Sequence, residues 1–247
     1  MPNLRNAFPE KSELELKAIE KKFFHFLCDN ILESFKMLTI SKESIKKRVK
    51  VRNPEEIEQY FAEGRSVLLT GGHYANWEWG NLAISLVIKE HPAMVIYKPL
   101  GNAHFGDLMN QMRSRFGTVM VPMKSTLRKI AEYKNKLYLM VLVGDQTPTR
   151  HETQYFTTFL NQPTSVFLGI EKIAKTTGNP VIYFVIDKVK RGYYEATFTT
   201  LIKCPKETVG HEITEAHTKM LEDYIKAKPE LWLWSHKRWK FKPEDIQ

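Results

Sequence analysis

The stretch "SVLLTGGHYANWEWG", residues 66 to 80, decides the fold. It opens as a short apolar run of strand length, breaks at Gly71 and Gly72, and resumes from Asn76 as an aromatic, helical pattern that extends to Glu90. Strand, turn and helix in that order recur downstream. "AMVIYKPL" (93 to 100) reads as a strand, Phe105 to Phe116 as a helix, "TVMVPM" as a strand, Ser125 to Tyr133 as a helix, and "LYLMVLVGD" as another strand. This alternation predicts an α/β fold: a single domain with a mostly parallel central sheet and helices on both faces. "TSVFLGIEKIAKTTG" is expected to be a helix closed by Gly178. "PVIYFVI" and "YYEATFTTLI" flank the turn "DKVKRG" and predict an antiparallel hairpin at the sheet edge. A last helix is expected over Glu212 to Lys226.

Upstream of the deciding stretch, Ser12 and Glu15 have capping-box spacing. Leu16, Ile19, Phe23, Phe26, Leu27, Ile31, Phe35 and Leu38 follow at helical intervals. A long amphipathic N-terminal helix, Glu13 to Leu38, is predicted, its stripe read as packing on the core. Shorter helices are expected at Lys42 to Val49 and Pro54 to Phe61, Pro54 sitting where no N–H is needed.

The 247 residues, 43% hydrophobic, suffice for one sizeable core, and no linker or repeat divides residues 1 to 247. A net charge of +9 favours an anionic partner: nucleic acid, an acidic membrane surface or an acidic carrier protein. No finger, KH, RNP or helix-turn-helix pattern supports nucleic acid. Two cysteines make no disulfide framework, and no apolar run reaches 18 residues, which argues against a spanning helix.

His73 and Glu78 are the first candidates for chemistry. At five residues apart on a helix they would point about 140° away from each other, so they meet only if Gly71 and Gly72 turn the chain and His73 precedes the helix. The carboxylate then accepts from one ring nitrogen and leaves the other as a base. This is the histidine–carboxylate part of a catalytic triad with no G-x-S-x-G serine, so the substrate is expected to bring its own hydroxyl. "HYANWE" is not HExxH, and no metal is expected. Arg113 and Arg115, two apart in "MRSRFG", cannot share a helical face, so at most one is expected at the site. Asp145 ends a strand, where α/β ligand sites collect, or caps the turn "DQTP".

"GGHYANWEWG" resembles the H-x4-D/E block of the glycerolipid and lysophospholipid acyltransferase superfamily. With "NLRNAFPEKS", "YKPLGN", "GDQTP", "TGNPV" and "PELWLWSHKRWK" in family order, the chain resembles the lipid A late acyltransferases, the lauroyl and myristoyl transferases of Gram-negative bacteria. The resemblance implies that His73 is the general base and Glu78 its orienting acid. It places Lys98 where the family's Y-R-P arginine stands, keeping charge but losing the planar fork that grips phosphate. It places Asn102 in the same block, Asp145 and Gln146 at the D-Q pair, and His236 and Arg238 in the C-terminal basic motif. With Arg113 and Arg115, these are the expected substrate-binding residues. Backbone N–H groups near Gly71 and Gly72 are the expected oxyanion donors.

What the resemblance further implies is transfer of a fatty acyl chain from an acyl carrier protein thioester to a hydroxyl of a phosphorylated glucosamine lipid, without cofactor or metal. The place would be an anionic membrane surface, the cytoplasmic face of the bacterial inner membrane. Rival expectations are a lysophospholipid or aminolipid acyltransferase and a non-catalytic membrane-associated protein. Family members carry a hydrophobic segment ahead of the "NLR" block; here Met1 stands almost directly before it, so either the sequence is shortened or attachment is peripheral. The tail, with Trp232, Trp234 and Trp239 among Lys237, Arg238 and Lys240, reads equally as an interface for anionic headgroups or as an aromatic lid on the domain.

Overall fold

Helix starts and stops in this protein follow local chemistry. The computed structural model describes residues 2–88 and 90–245. A short α1 (Pro2–Ala7) leads to α2 (Glu13–Lys36), whose Ser12 cap and Glu15 form the reciprocal capping box. Then come α3 (Lys42–Arg48), β1 (Val49–Val51) and α4 (Glu55–Ala62). The deciding stretch becomes β2 (Val67–Gly71) and α5 (Trp77–Val87). The expected continuation of α5 towards Glu90 does not occur, because Ile88 is already its C-cap; Lys89 lies outside the described residues. Next are β3 (Ala93–Tyr97), α6 (Ala103–Ser114), β4 (Val119–Pro122), α7 (Thr126–Glu132) and β5 (Leu139–Val143).

The seven-stranded sheet also takes in β8 (Val181–Lys190) and β9 (Tyr193–Ile202), in the order β1-β9-β8-β2-β5-β3-β4. Every neighbouring pair is parallel except β8 with β9. β2 is buried throughout, and its alternate residues face opposite layers. Val67 and Leu69 pack with Ile57 of α4 and Ile84 of α5. Leu68 packs with Ile170 and Ile173 of α8 (Gly169–Thr177). The last long helix is α9 (Glu212–Ala227). The chain is thus one α/β domain with helices on both faces of a largely parallel sheet.

Three further details differ from expectation. The β8–β9 hairpin forms, but β1 pairs along β9, so β9 is interior to the sheet. Its strands run closer together than expected, leaving Arg191 and Gly192 as the turn, with Gly192 at φ +73°. The stretch expected to be one helix from Thr164 begins instead as β7 (Gln162–Val166), paired antiparallel with β6 (Tyr155–Phe159) through Leu160 and Asn161, both at positive φ. The third concerns α2. Leu16, Phe23 and Phe26 are buried, but Ile31, Phe35 and Leu38 of the expected single stripe are exposed.

Candidate active site

The sheet register itself assembles the site. β2 and β5 are parallel neighbours in which Gly71 pairs with Val143. Two residues past each partner stand His73 and Asp145, at the carboxyl ends of adjacent strands, where open α/β sheets gather their ligands. His73 Nδ1 lies 2.5 Å from Asp145 Oδ1, and the His73 backbone N–H donates to Asp145 Oδ2 at 2.9 Å. The Trp232 indole N–H donates to the same Oδ2 at 2.9 Å.

With the carboxylate taking Nδ1–H, the free lone pair of His73 is on Nε2. The Gln146 amide nitrogen is 3.4 Å from it, and the edge of the Trp77 ring packs against the imidazole at 5.1 Å between centroids. Burial disfavours charge on His73, but the Asp145 charge and hydrogen bond, with Glu78 further off, outweigh it and raise the ring above its ordinary value. Burial would likewise raise Asp145; the His73 charge and the bonds from His73 and Trp232 hold it well below the usual carboxylate range.

Glu78 does not make the contact expected of it. Both its oxygens are taken by Arg113, from Nε at 2.8 Å and from Nη2 at 2.5 Å, the parallel pair that suits a guanidinium. The reason is the turn between them. Gly71 and Gly72 are not at positive φ; Ala75 is, at +47°, and its N–H donates to the Leu231 carbonyl at 2.8 Å. That left-handed residue and the Asn76 cap start α5 so that Glu78 lies in its first turn, aimed at α6. The two glycines serve close approach instead. A Cβ on Gly71 would lie 2.6 Å from the Phe184 carbonyl oxygen, and one on Gly72 would lie 2.6 Å from Leu221 and 3.4 Å from Asp145 Oδ2.

The other expected residues divide. Arg113 joins Glu78, while Arg115 turns away to the carbonyls of Met37 and Ile40 behind α2. Asn102 caps α6, its side-chain oxygen accepting from Phe105 N–H at 3.0 Å. Lys98 is exposed just past β3; Glu152 is held below its ordinary value by the side-chain and backbone bonds from Thr149, with the Lys98 charge adding to them. His236 is an acceptor for Thr147 N–H at 3.0 Å, and burial lowers its pKa. The Thr147 hydroxyl bonds the Lys237 and Arg238 carbonyls, strapping the loop that carries Asp145 to the tail.

Arg238 is buried, so it does not present its guanidinium to solvent, and burial pushes it down to about 10. Its Nε and Nη1 have no hydrogen-bond partner among the described residues. It lines a small internal cavity behind Asp145 with His217, whose ring is pushed down to about 4 by burial. Trp232 and Trp234 are also buried, and Trp239 donates to Thr164 Oγ1 at 2.8 Å. The structure therefore decides the tail in favour of the internal aromatic layer. Sequence reasoning missed Trp232 as a partner of Asp145. It also missed Asp145 as the acid that holds His73; the local signal for that pair is the repeated pattern of strand, glycine, then polar residue in "TGGH" and "VGDQ", and nothing local signals Trp232.

A part-buried histidine held by a buried carboxylate, at the strand ends of an α/β domain and with no serine, cysteine or threonine hydrogen-bonded to its other ring nitrogen among the described residues, defines a base suited to activating a substrate hydroxyl. The chain belongs to the bacterial lipid A biosynthesis acyltransferase family, whose sequence profile matches residues 1–241, and it is an O-acyltransferase. It is 23% identical over 245 residues to a lipid A biosynthesis lauroyltransferase of Escherichia coli (strain K12), covering 99% of this chain and 79% of that protein. Similarity extends to a lipid A biosynthesis acyltransferase of Haemophilus influenzae (23%, covering 94% and 72%). It is also 22% identical to the E. coli palmitoleoyltransferase of lipid A biosynthesis, covering 98% and 78%.

Proposed function

We propose that the protein transfers a fatty acyl chain from an acyl carrier protein thioester to a hydroxyl of a phosphorylated glucosamine lipid, a lipid A precursor. The observation that carries the mechanism is His73 held by Asp145 through Nδ1, which leaves Nε2 as the acceptor, met by the Gln146 amide nitrogen at a long 3.4 Å. Nε2 takes the hydroxyl proton as that oxygen attacks the thioester carbonyl. Backbone N–H groups beside Gly71 and Gly72 are assigned to the tetrahedral oxyanion; the His73 N–H, held by Asp145, is not one of them. The C–S bond then breaks, and the leaving thiolate takes the proton back from the imidazolium. Asp145 fixes the ring tautomer and compensates the charge that develops on it. Glu78 acts at one remove, as a second negative charge whose position Arg113 fixes. Exposed Lys98 at the end of β3 is assigned to an acceptor phosphate.

The acidic carrier protein suits a chain of net charge +9 by electrostatic steering. The reaction is placed at the cytoplasmic face of the bacterial inner membrane. Two relatives named for different acyl chains are almost equally distant, at 23% and 22% identity, so the donors tested span several chain lengths.

The test offers purified protein the lauroyl, myristoyl and palmitoyl carrier proteins with a mixed pool of glucosamine lipid, lysophosphatidate and lysophosphatidylglycerol, at low and high salt, with products read by mass spectrometry. The expected product is the acylated glucosamine lipid, formed faster at low salt. Acylated lysophospholipid as the sole product would replace the proposed acceptor with that of the neighbouring branch.

A further inference from the structure

Helix α2 carries apolar side chains on two faces, and only one is used inside the protein. Leu16, Phe23 and Phe26, with Met37 just beyond the helix, are buried. On a helix that turns about 100° per residue, Phe24, Cys28, Ile31 and Phe35 recur at intervals of four, three and four and form a second stripe well over a quarter-turn away, with Leu38 two residues past the helix end. Phe24 is 47% exposed, Ile31 49%, Phe35 55% and Leu38 44%, with Leu32 beside them at 65%. A helix apolar on two sides needs two partners.

The charge around this stripe says what the second partner is. Residues 21 to 50 contain eight lysines and arginines and three acidic residues, a net +5 of the chain's +9. Of the acids, Asp29 is paired with Lys188 and Arg191, and Glu33 is partly buried, bonded by Asn76 and Tyr194. Lys21, Lys36, Lys42 and Lys46 are exposed. Aromatic and aliphatic side chains on one face, bordered by lysines, are the pattern of a helix that lies in a membrane interface and is held there by anionic headgroups. Among the described residues no helix is long and apolar enough to cross a membrane, so this face would act by lying on the bilayer.

We propose that the exposed stripe of α2 is the surface by which this protein docks on an anionic lipid bilayer, with the lysines of α2 and α3 at its rim. This deepens the proposed function by naming the surface that meets the membrane, and it stands without the acyl-transfer chemistry. The helix is also tied to the candidate active site. Glu33 accepts from the Asn76 side chain at 2.6 Å, and the Glu33 carbonyl accepts from the Trp79 indole at 2.9 Å, so α2 holds the cap and first turn of the helix that carries Glu78. Docking by α2 therefore fixes the distance of the site from the lipid surface.

The experiment compares the unaltered protein with a Phe24→Ser, Ile31→Ser, Phe35→Ser variant, whose changes are all at exposed positions. Binding is measured by co-sedimentation with vesicles of phosphatidylethanolamine and phosphatidylglycerol, and with vesicles of phosphatidylcholine alone. The expected result is binding of the unaltered protein to the anionic vesicles, weakened at least tenfold by high salt or by the triple variant, with weak binding to phosphatidylcholine. Light scattering reports oligomeric state, and thermal unfolding checks that the variant is folded. Transfer to a detergent-dispersed acceptor is expected to stay within about twofold in the variant. If no transfer occurs in either protein, that failure falls on the proposed function, and vesicle binding is scored alone. Equal vesicle binding by both proteins, or none by the unaltered one, overturns the proposal. So does a dimer that the triple variant converts to monomers, since the stripe would then cover a second copy of the chain.

Discussion

Asp145→Asn is the most informative single change because the geometry dictates which way the amide turns. Oδ2 accepts two donors, the His73 backbone N–H and the Trp232 indole N–H, both at 2.9 Å. Asparagine has one oxygen, and it satisfies both only by taking the Oδ2 position. Its NH2 then faces His73 Nδ1, which must become the acceptor, so the ring proton moves to Nε2. The base is lost by tautomer while the packing is kept. In a His–Asp pair of this kind the same exchange costs about 10⁴ in rate, or about 5.5 kcal/mol of transition-state stabilisation.

The change also moves the pH profile. Loss of Asp145 removes the charge that raises His73 and leaves burial, which lowers it. Transfer by the unaltered enzyme should rise through an acid limb above the ordinary histidine value of 6.5, and the residual activity of the variant should have its limb below it. Initial rates between about pH 5 and 9, with product counted by mass spectrometry, check both. Asp145→Asn within threefold of the unaltered kcat/KM, with the limb unmoved, would refute the reasoning. Glu78→Gln is the companion: it should slow transfer with a smaller displacement of the limb, since Glu78 touches Arg113 and not the ring.

His73→Ala should lose about 10² to 10⁴ in turnover with its unfolding temperature little changed; near-normal transfer by the purified variant would remove His73 as the base. Trp232→Phe keeps an aromatic side chain but deletes one bond to a charged carboxylate and leaves a small cavity in a buried site, so a loss of at least about 1.5 to 3 kcal/mol in urea unfolding is expected, with slower transfer. In the pair itself, the lowered Asp145 stabilises the fold above its unfolded value and loses that as pH falls. The raised His73 stabilises it below its unfolded value and loses that as pH rises through the folded one. The stability gap between the unaltered protein and Asp145→Asn should therefore be widest between about pH 4 and 6.5, measured by denaturant titration across pH. Lys98→Ala should impair use of a phosphorylated acceptor more than thioester hydrolysis, and Lys98→Arg should restore it; equal kinetics in all three proteins, on phosphorylated and dephosphorylated lipid, would leave Lys98 with no phosphate to bind.

The sequence by itself determined what depends on neighbours along the chain. Apolar runs and helical spacing gave β2, α5, β3, α6, β4 and β5 nearly in place, because strand and helix period are local properties. Ser12 with Glu15 marked the start of α2, and His73 with its glycines was legible as a base at a strand end. Tertiary structure alone decided which acid serves that base. Residues five apart on one segment looked like natural partners, but the pairing of Gly71 with Val143 brings Asp145, 72 positions away, to the imidazole, while a left-handed Ala75 sends Glu78 to Arg113. It likewise decided that the tail tryptophans are interior and that Ile31, Phe35 and Leu38, three of the eight residues of the expected α2 stripe, face outward. Periodicity shows that a side chain is apolar and on which helix face it lies, whereas burial depends on what the rest of the chain packs against that face.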